Sequence, residues 1–375
     1  MSWLFVEICH YLLHTPVARL FLPMTLDEIL VNQFVGEIHH LESSMRVIAT
    51  LLASTILFAA WSASAQKVGF QLVDIPVAGG SAVPVDIWYP TNGDTRVQPL
   101  GLFEQDVAQN GPVLGSKLAL VIISHGNGGT KDGHYDTALA LAKSGFVVAA
   151  LEHTGDNYRD QSKATDLGNR TLELHLLINF MLSKWNDHSA IDGQRIGSFG
   201  FSSGGFTVLA AAGGKPDLSL FRAHCAAHPK SYDCSLLAAH PALSSPSAGT
   251  NSGAGSTITH DIRIKALVVA APALGFTFAN GLAAVTQPVQ LWRADEDQVL
   301  PAPDYADVVH ANLPKPPEFH EVKGAGHFDF LAPCTAALAK VAASICTSQT
   351  GFDRVAFHNS FDSEVVRFFK LHLQS

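Results

Sequence analysis

RIGSFGFSSGG, running from Arg195 to Gly205, is the stretch on which the reading of the fold turns. Arg195 to Phe199 has the composition of a short buried strand, and a helix begins near Gly204. Between them Gly200-Phe201-Ser202-Ser203-Gly204 spells G-x-S-x-G. On its own the string is a glycine-rich turn of little specificity. At the junction of a strand and a helix it marks a nucleophile elbow. Such a turn is too tight for side chains at Gly200 and Gly204, and its strained backbone lifts the Ser202 hydroxyl above the sheet.

Working outward, Leu118 to Ser124 (LALVIIS) and Phe146 to Leu151 (FVVAAL) are continuous apolar runs, the pattern of strands buried on both faces. Ile264 to Ala270, Pro288 to Trp292 and Glu318 to Val322 continue the series. Residues 131 to 143, Leu167 to Trp185 and Ser360 to Leu373 read as helices. Val68 to Val77 and Val83 to Tyr89 read as a hairpin turning at Ala78-Gly79-Gly80. Strands alternating with helices predict an α/β chain with a mostly parallel central sheet covered by helices on both faces. No repeat or linker divides it. Residues 213 to 262, rich in Ala, Ser, Gly, Pro and His, interrupt the pattern after the elbow helix and are expected to form an inserted cap.

A serine hydroxyl needs a base, and Gly324-Ala325-Gly326-His327 follows the final strand, where this topology delivers one. The chain has 18 histidines; His327 stands out by position, whereas His125 and His153 also end strands but belong to the loops they begin. An orienting carboxylate is expected between serine and histidine. The strand from Pro288 runs into Asp295-Glu296-Asp297, which points to Asp297 with Asp295 as the alternative; the strand Ile264 to Ala270 leads only into Ala271-Pro272-Ala273. Charge developing on an attacked carbonyl oxygen calls for N–H donors. The Ser203 amide is one, and the Asn127 amide in His125-Gly126-Asn127-Gly128-Gly129 is the other. That loop lacks the Lys-Ser/Thr pair or G-x-G-x-x-G of a phosphate cradle.

From Met45 the chain reads MRVIATLLASTILFAAWSASAQ: one Arg, an apolar run from Val47 to Trp61, then Ala63-Ser64-Ala65. This is the order of a secretory signal peptide, and the run falls short of the roughly 20 residues of a membrane span. Residues 45–65 are therefore expected to be removed, residues 1–44 to be an untranslated or spurious extension, and residues 66–375 to be the working domain, periplasmic or secreted, with no span left after cleavage. Beyond Cys9, the four cysteines Cys225, Cys234, Cys334 and Cys346 suit disulfides in an exported chain. Pairing Cys225 with Cys234 and Cys334 with Cys346 is the simplest of three connectivities.

The chain has 375 residues, 47% hydrophobic and 15% charged, with a net charge of −9. That composition describes an ordered globular protein and excludes a general nucleic-acid binder, which would need basic residues to neutralise phosphates. His224, His228 and His240 suggest zinc only loosely, because their spacing fits no metal motif.

With these pieces in order, the chain resembles the α/β-hydrolase superfamily. More narrowly, it is similar to the exported "predicted dienelactone hydrolase" group, itself similar to platelet-activating factor acetylhydrolases. VGFQLVDIPVAGGSAVPVDIWYPT (Val68–Thr91), SHGNGG (Ser124–Gly129), GFVVAALEHTGDN (Gly145–Asn157), RIGSFGFSSGG, ADEDQVLP (Ala294–Pro301) and GAGH (Gly324–His327) carry the resemblance. It implies a serine hydrolase acting on a small carboxylic ester, with Ser202, Asp297 and His327 as triad and Asn127 and Ser203 as oxyanion hole, and with no metal or organic cofactor. Peptidase, amidase and polyester hydrolase activities use the same triad and stay open, as does a non-catalytic hydrolase-fold binding protein. Position 202 is serine where true dienelactone hydrolases carry cysteine. The acetylhydrolases take their acid after the preceding strand, where Ala271-Pro272-Ala273 stands here.

Overall fold

The structure, a computed structural model, describes residues 66–77, 79–239 and 257–374. The expected N-terminal extension and signal peptide, Cys9 and His240 lie outside the described residues. Among the described residues ten strands form one sheet: β1 (Lys67–Ile75), β2 (Val83–Thr91), β3 (Arg96–Leu100), β4 (Phe103–Gln109), β5 (Leu118–Ser124), β6 (Val147–Leu151), β7 (Ile191–Phe201), β8 (Ile264–Ala270), β9 (Val289–Ala294) and β10 (Glu318–Val322). Their spatial order is β10-β9-β8-β7-β5-β6-β2-β1-β4-β3. From β10 to β6 every neighbouring pair is parallel, while β2 joins β6 antiparallel and pairs with β1 as the expected hairpin.

The helices used below are α1 (Tyr135–Lys143), α2 (Leu167–Ser183), α3 (Ser203–Ala211), α4 (Leu220–Ala227), α5 (Tyr232–Ala239), α6 (Ala306–Asn312), α7 (Ala336–Val341), α8 (Ala343–Cys346) and α9 (Arg354–Leu373). Side chains alternate across a strand, so β5 feeds two cores. Leu120 and Ile122 join a cluster with Leu174, Leu177 and Met181 of α2 and Phe206 and Leu209 of α3. Ala119, Val121 and Ile123 join one with Leu141 of α1 and Phe361, Val365 and Phe369 of α9. This double burial explains the unbroken apolar runs. Gly197 on β7 admits α9 so closely that an added Cβ would lie 2.5 Å from the Phe369 ring.

Several elements depart from the expectation: β7 begins at Ile191 rather than Arg195, α1 begins at Tyr135 rather than residue 131, and α6, α7 and α8 are additional. The pair β3–β4 was not foreseen: β4 buries only alternate residues over part of its length and β3 is largely exposed, so neither carries an apolar run. The final helix starts at Arg354 rather than Ser360. Its first turns bury Arg354 and His358, held by ion pairs to Asp329 (2.9 Å) and Asp136 (2.7 Å) in place of apolar packing. Asp353 caps this helix by accepting from the Ala356 N–H, which satisfies an otherwise orphaned donor.

The order of strands places a switch point at β5. The chain leaves β5 for β6 on one side and returns to β7 on the other, so the loops after β5 and β7 diverge from neighbouring strand ends. Ligands bind at such crevices in open α/β sheets. The register sets Ser124 opposite Gly200, which brings the loop after Ser124 beside Ser202.

Cys225 bonds to Cys234, linking α4 to α5, and Cys334 bonds to Cys346, spanning α7 and α8. Among the described residues no helix is long and apolar enough to cross a membrane. Replacing Cys334 and Cys346 together by Ala opens a loop of 12 residues. Urea unfolding is expected to show a loss of about 2–3 kcal/mol, and an unchanged midpoint would contradict it.

Candidate active site

Ser202 sits at the tip of the turn from β7 into α3 with φ 55° and ψ −118°, a strained combination for a non-glycine residue. Its neighbours hold it there. The Ser202 N–H donates to the Ala270 carbonyl at 2.9 Å, and the Ala273 N–H donates to the Ser202 carbonyl at 2.9 Å. A Cβ on Gly200 would lie 2.1 Å from the Gly204 carbonyl oxygen, and one on Gly204 would lie 1.9 Å from that of Ser124. Both glycines are therefore required sterically.

His327 follows β10 on a short turn, His327–Phe330, pinned by the Gly326 N–H donating to Asp329 at 2.7 Å. Asp329 is in turn held by Arg354 at 2.9 Å. The imidazole reaches Ser202 Oγ through Nε2 at 3.1 Å and Asp297 Oδ2 through Nδ1 at 2.8 Å. Asp297 Oδ1 accepts from the N–H groups of Val299 (2.9 Å) and Leu300 (2.7 Å). Burial alone would raise the Asp297 carboxyl. The charge and hydrogen bond of His327, with the Leu300 and Val299 amides, outweigh that and hold it below its ordinary value.

The acidic turn is tied to the His327 loop through its backbone: the Asp295 N–H donates to the Val322 carbonyl and the Glu296 N–H to that of Ala325. Asp295 itself turns to Lys323 at 3.6 Å, and Glu296 is exposed. Of the three acids, Asp297 alone meets His327.

The glycine-rich loop after β5 lies against this group; a Cβ on Gly126 would fall 3.2 Å from that of Ser202. Gly128 takes a positive φ of 62°, which glycine adopts without steric cost. The loop rests on a buried polar frame that the sequence did not reveal. Asp156 Oδ1 accepts from the Asn127 side-chain amide at 2.6 Å and from the Gly128 N–H at 2.9 Å. Arg170, buried on α2, binds Asp156 and the His125 carbonyl and donates through Nε to Thr207 at 3.0 Å. The sequence around Arg170, Gly168-Asn169-Arg170-Thr171, carries no signal that the guanidinium is buried.

His125 and His153 belong to the same frame. The His153 N–H donates to His125 Nε2 at 3.0 Å, so the Nδ1–H of His125 donates to the Gly126 carbonyl at 2.7 Å. Burial lowers the pKa of both rings well below the usual value, which keeps them neutral.

The segment expected to form a cap contributes α4 and α5, and part of it, residues 240–256, lies outside the described residues. Tyr232 at the start of α5 donates to the Asn127 side-chain oxygen. Beside it Asp233 is buried and accepts from the Tyr305 hydroxyl at 2.7 Å. Burial raises the Asp233 carboxyl to about 6, against the opposing hydrogen bond of Tyr305 and the charge of His327. Among the described residues, none of the His, Asp and Glu groups that could hold a metal includes Asp297 or His327.

Residues 96–171 match the family "Platelet-activating factor acetylhydrolase, isoform II". This span covers the loop at Asn127, Asp156 and Arg170 and ends before Ser202. No curated protein matches the chain. Among solved structures, a ferulic acid esterase from Streptomyces cinnamoneus is similar with a TM-score of 0.56 and 17% identity, covering 84% of this chain and 92% of that one. The chain has the α/β-hydrolase fold.

Two stability measurements follow from these buried charges. Arg170→Met strands Asp156 without its partner and is expected to cost about 3–5 kcal/mol in urea unfolding; a cost under 1 kcal/mol would contradict the frame. Asp233 holds its proton more tightly folded than unfolded, so its contribution declines as pH rises from its ordinary value of 3.8 to about 6. That decline amounts to about 3 kcal/mol. Asp233→Asn should flatten the stability–pH curve over that window, and curves of equal slope would refute the assignment.

Proposed function

We propose that the protein is a serine-dependent hydrolase of small carboxylic esters. The observation that supports this most directly is the continuous hydrogen-bonded chain from Ser202 through His327 to Asp297, set beside a loop of backbone donors. His327 Nε2 accepts the Ser202 proton as the hydroxyl oxygen attacks the ester carbonyl, and Asp297 keeps the Nδ1–H directed at itself, stabilising the imidazolium. The oxyanion is received by the N–H of Ser203, the first residue of α3, and by that of Asn127. A helix N-terminus adds favourable partial charge there. Imidazolium protonates the departing alcohol. Water, deprotonated by the same ring, then attacks the acyl-enzyme and frees the acid.

The strained elbow keeps Ser202 Oγ in place before substrate arrives, so little reorganisation precedes attack. Residues 213–262 act as a cap that sets acyl and leaving-group preference. The Tyr232–Asn127 hydrogen bond supports this role, because it couples α5 to the oxyanion loop. Two disulfides accord with an exported protein, periplasmic or secreted.

Ester panels should include short acyl esters, acetylated phospholipids, lactones and aromatic esters, each against a matched amide. Ser202→Ala and His327→Ala are each expected to lower kcat on the order of 10⁶-fold, and the double variant no further, since the two act as one unit. Asp297→Asn should lower it by about 10⁴-fold. A fluorophosphonate probe should label Ser202 in the parent only. Hydrolysis by Ser202→Ala at the parental rate would end this reading.

A further inference from the structure

Outside the Ser202 region, His224, His228 and Asp304 bring together three potential ligand atoms, all within 4.8 Å of one another. His224 lies on α4, His228 follows four residues later at its C-terminal end, and Asp304 precedes α6. A spacing of four places both histidines on one helix face. Tetrahedral zinc, with bonds of ~2 Å, sets its ligand atoms roughly 3.3 Å apart. His228 Nε2 and Asp304 Oδ2 already stand 3.2 Å apart. We propose that His224, His228 and Asp304 form a zinc site that clamps α4 of the cap to the segment before α6.

The surroundings of His224 add an independent argument. A ligating histidine is usually oriented by a second hydrogen bond from its ring, itself backed by a further polar group. His224 Nε2 lies 3.3 Å from the Tyr305 hydroxyl, and that hydroxyl donates to Asp233 at 2.7 Å. The ring is also stacked on Phe276 at 3.9 Å with an interplanar angle of 7°. It therefore surrenders little freedom on coordination.

Access is available from the other side. The side chains of His228 and Asp304 are 52% and 33% exposed, so an ion enters from solvent and keeps water in its fourth position. Two imidazoles and one carboxylate suit zinc over the oxygen-seeking calcium and magnesium. The other two such clusters are worse placed. Asp136, His358 and Asp362 are wedged between α1 and α9, where Thr137 also bonds Asp362 at 2.6 Å. Glu318 and Glu364 already pair with Arg367, and His320 with Glu318.

The test is calorimetric titration of zinc chloride into chelator-stripped protein, with thermal unfolding alongside. The expected result is a saturable 1:1 isotherm and a melting temperature that rises with zinc, as for any ligand bound only by the folded state. His228→Ala, at an exposed position that folding does not need, and Asp304→Asn should each weaken binding at least tenfold. Tyr305→Phe should weaken it by about tenfold through loss of the outer hydrogen bond. The absence of a saturable site, or parental affinity in His228→Ala, would overturn the proposal. Neither readout involves ester turnover, so the zinc site stands or falls apart from the reading of Ser202.

Discussion

A single steric constraint underlies this structure: the backbone of β7 must reverse into α3 within a space that has no room for a side chain at either glycine. The Gly204 carbonyl crowds Gly200, and the Ser124 carbonyl crowds Gly204. Ser202 is left at positive φ between them. The strain costs on the order of 1–3 kcal/mol and persists because the Ala270 and Ala273 backbone groups hold Ser202 from the adjoining strand end. The same crowding brings the β5 loop into contact with the serine.

From that point the surroundings are organised by buried charge. Arg170 and Asp156 lie beneath the loop of Asn127, and Asp329 with Arg354 lies behind His327. In each pair the acid receives a backbone N–H of the loop next to a residue of the site. A buried ion pair is weak evidence for stability, since desolvation offsets its attraction. Its better-supported consequence here is geometric, because each carboxylate has a defined orientation and transmits it to a glycine-rich loop. Tyr232 at the start of α5 adds a third connection, donating a hydrogen bond to the side-chain oxygen of Asn127 in the loop after β5.

Much of the fold was legible because double burial writes itself as unbroken apolar runs, as in β5, β6 and β8. The half-exposed pair β3–β4 left no such trace, and the first turns of α9 were hidden because Arg354 and His358 are buried by ionic partners far away in sequence. The polar frame under the site was equally hidden. Asp156 and Arg170 are 14 residues apart in a loop and a helix, with nothing local to tie them. Glu173 and His153, hydrogen-bonded at 2.8 Å, show the same difficulty.

By itself the sequence determined the elbow, the candidate serine and histidine, and the alternation of strands and helices, since each depends on contiguous residues and local sterics. Tertiary structure decided which of Asp295, Glu296 and Asp297 faces His327. That choice depends on how the turn after β9 is tied to the loop after β10, and the bonds to Val322 and Ala325 rotate Asp297 inward while Asp295 meets solvent and Lys323. It also chose the His125 tautomer and brought Asp304 to His224 and His228. These are meetings between distant segments, governed by strand register and helix packing, and no short window of residues contains them.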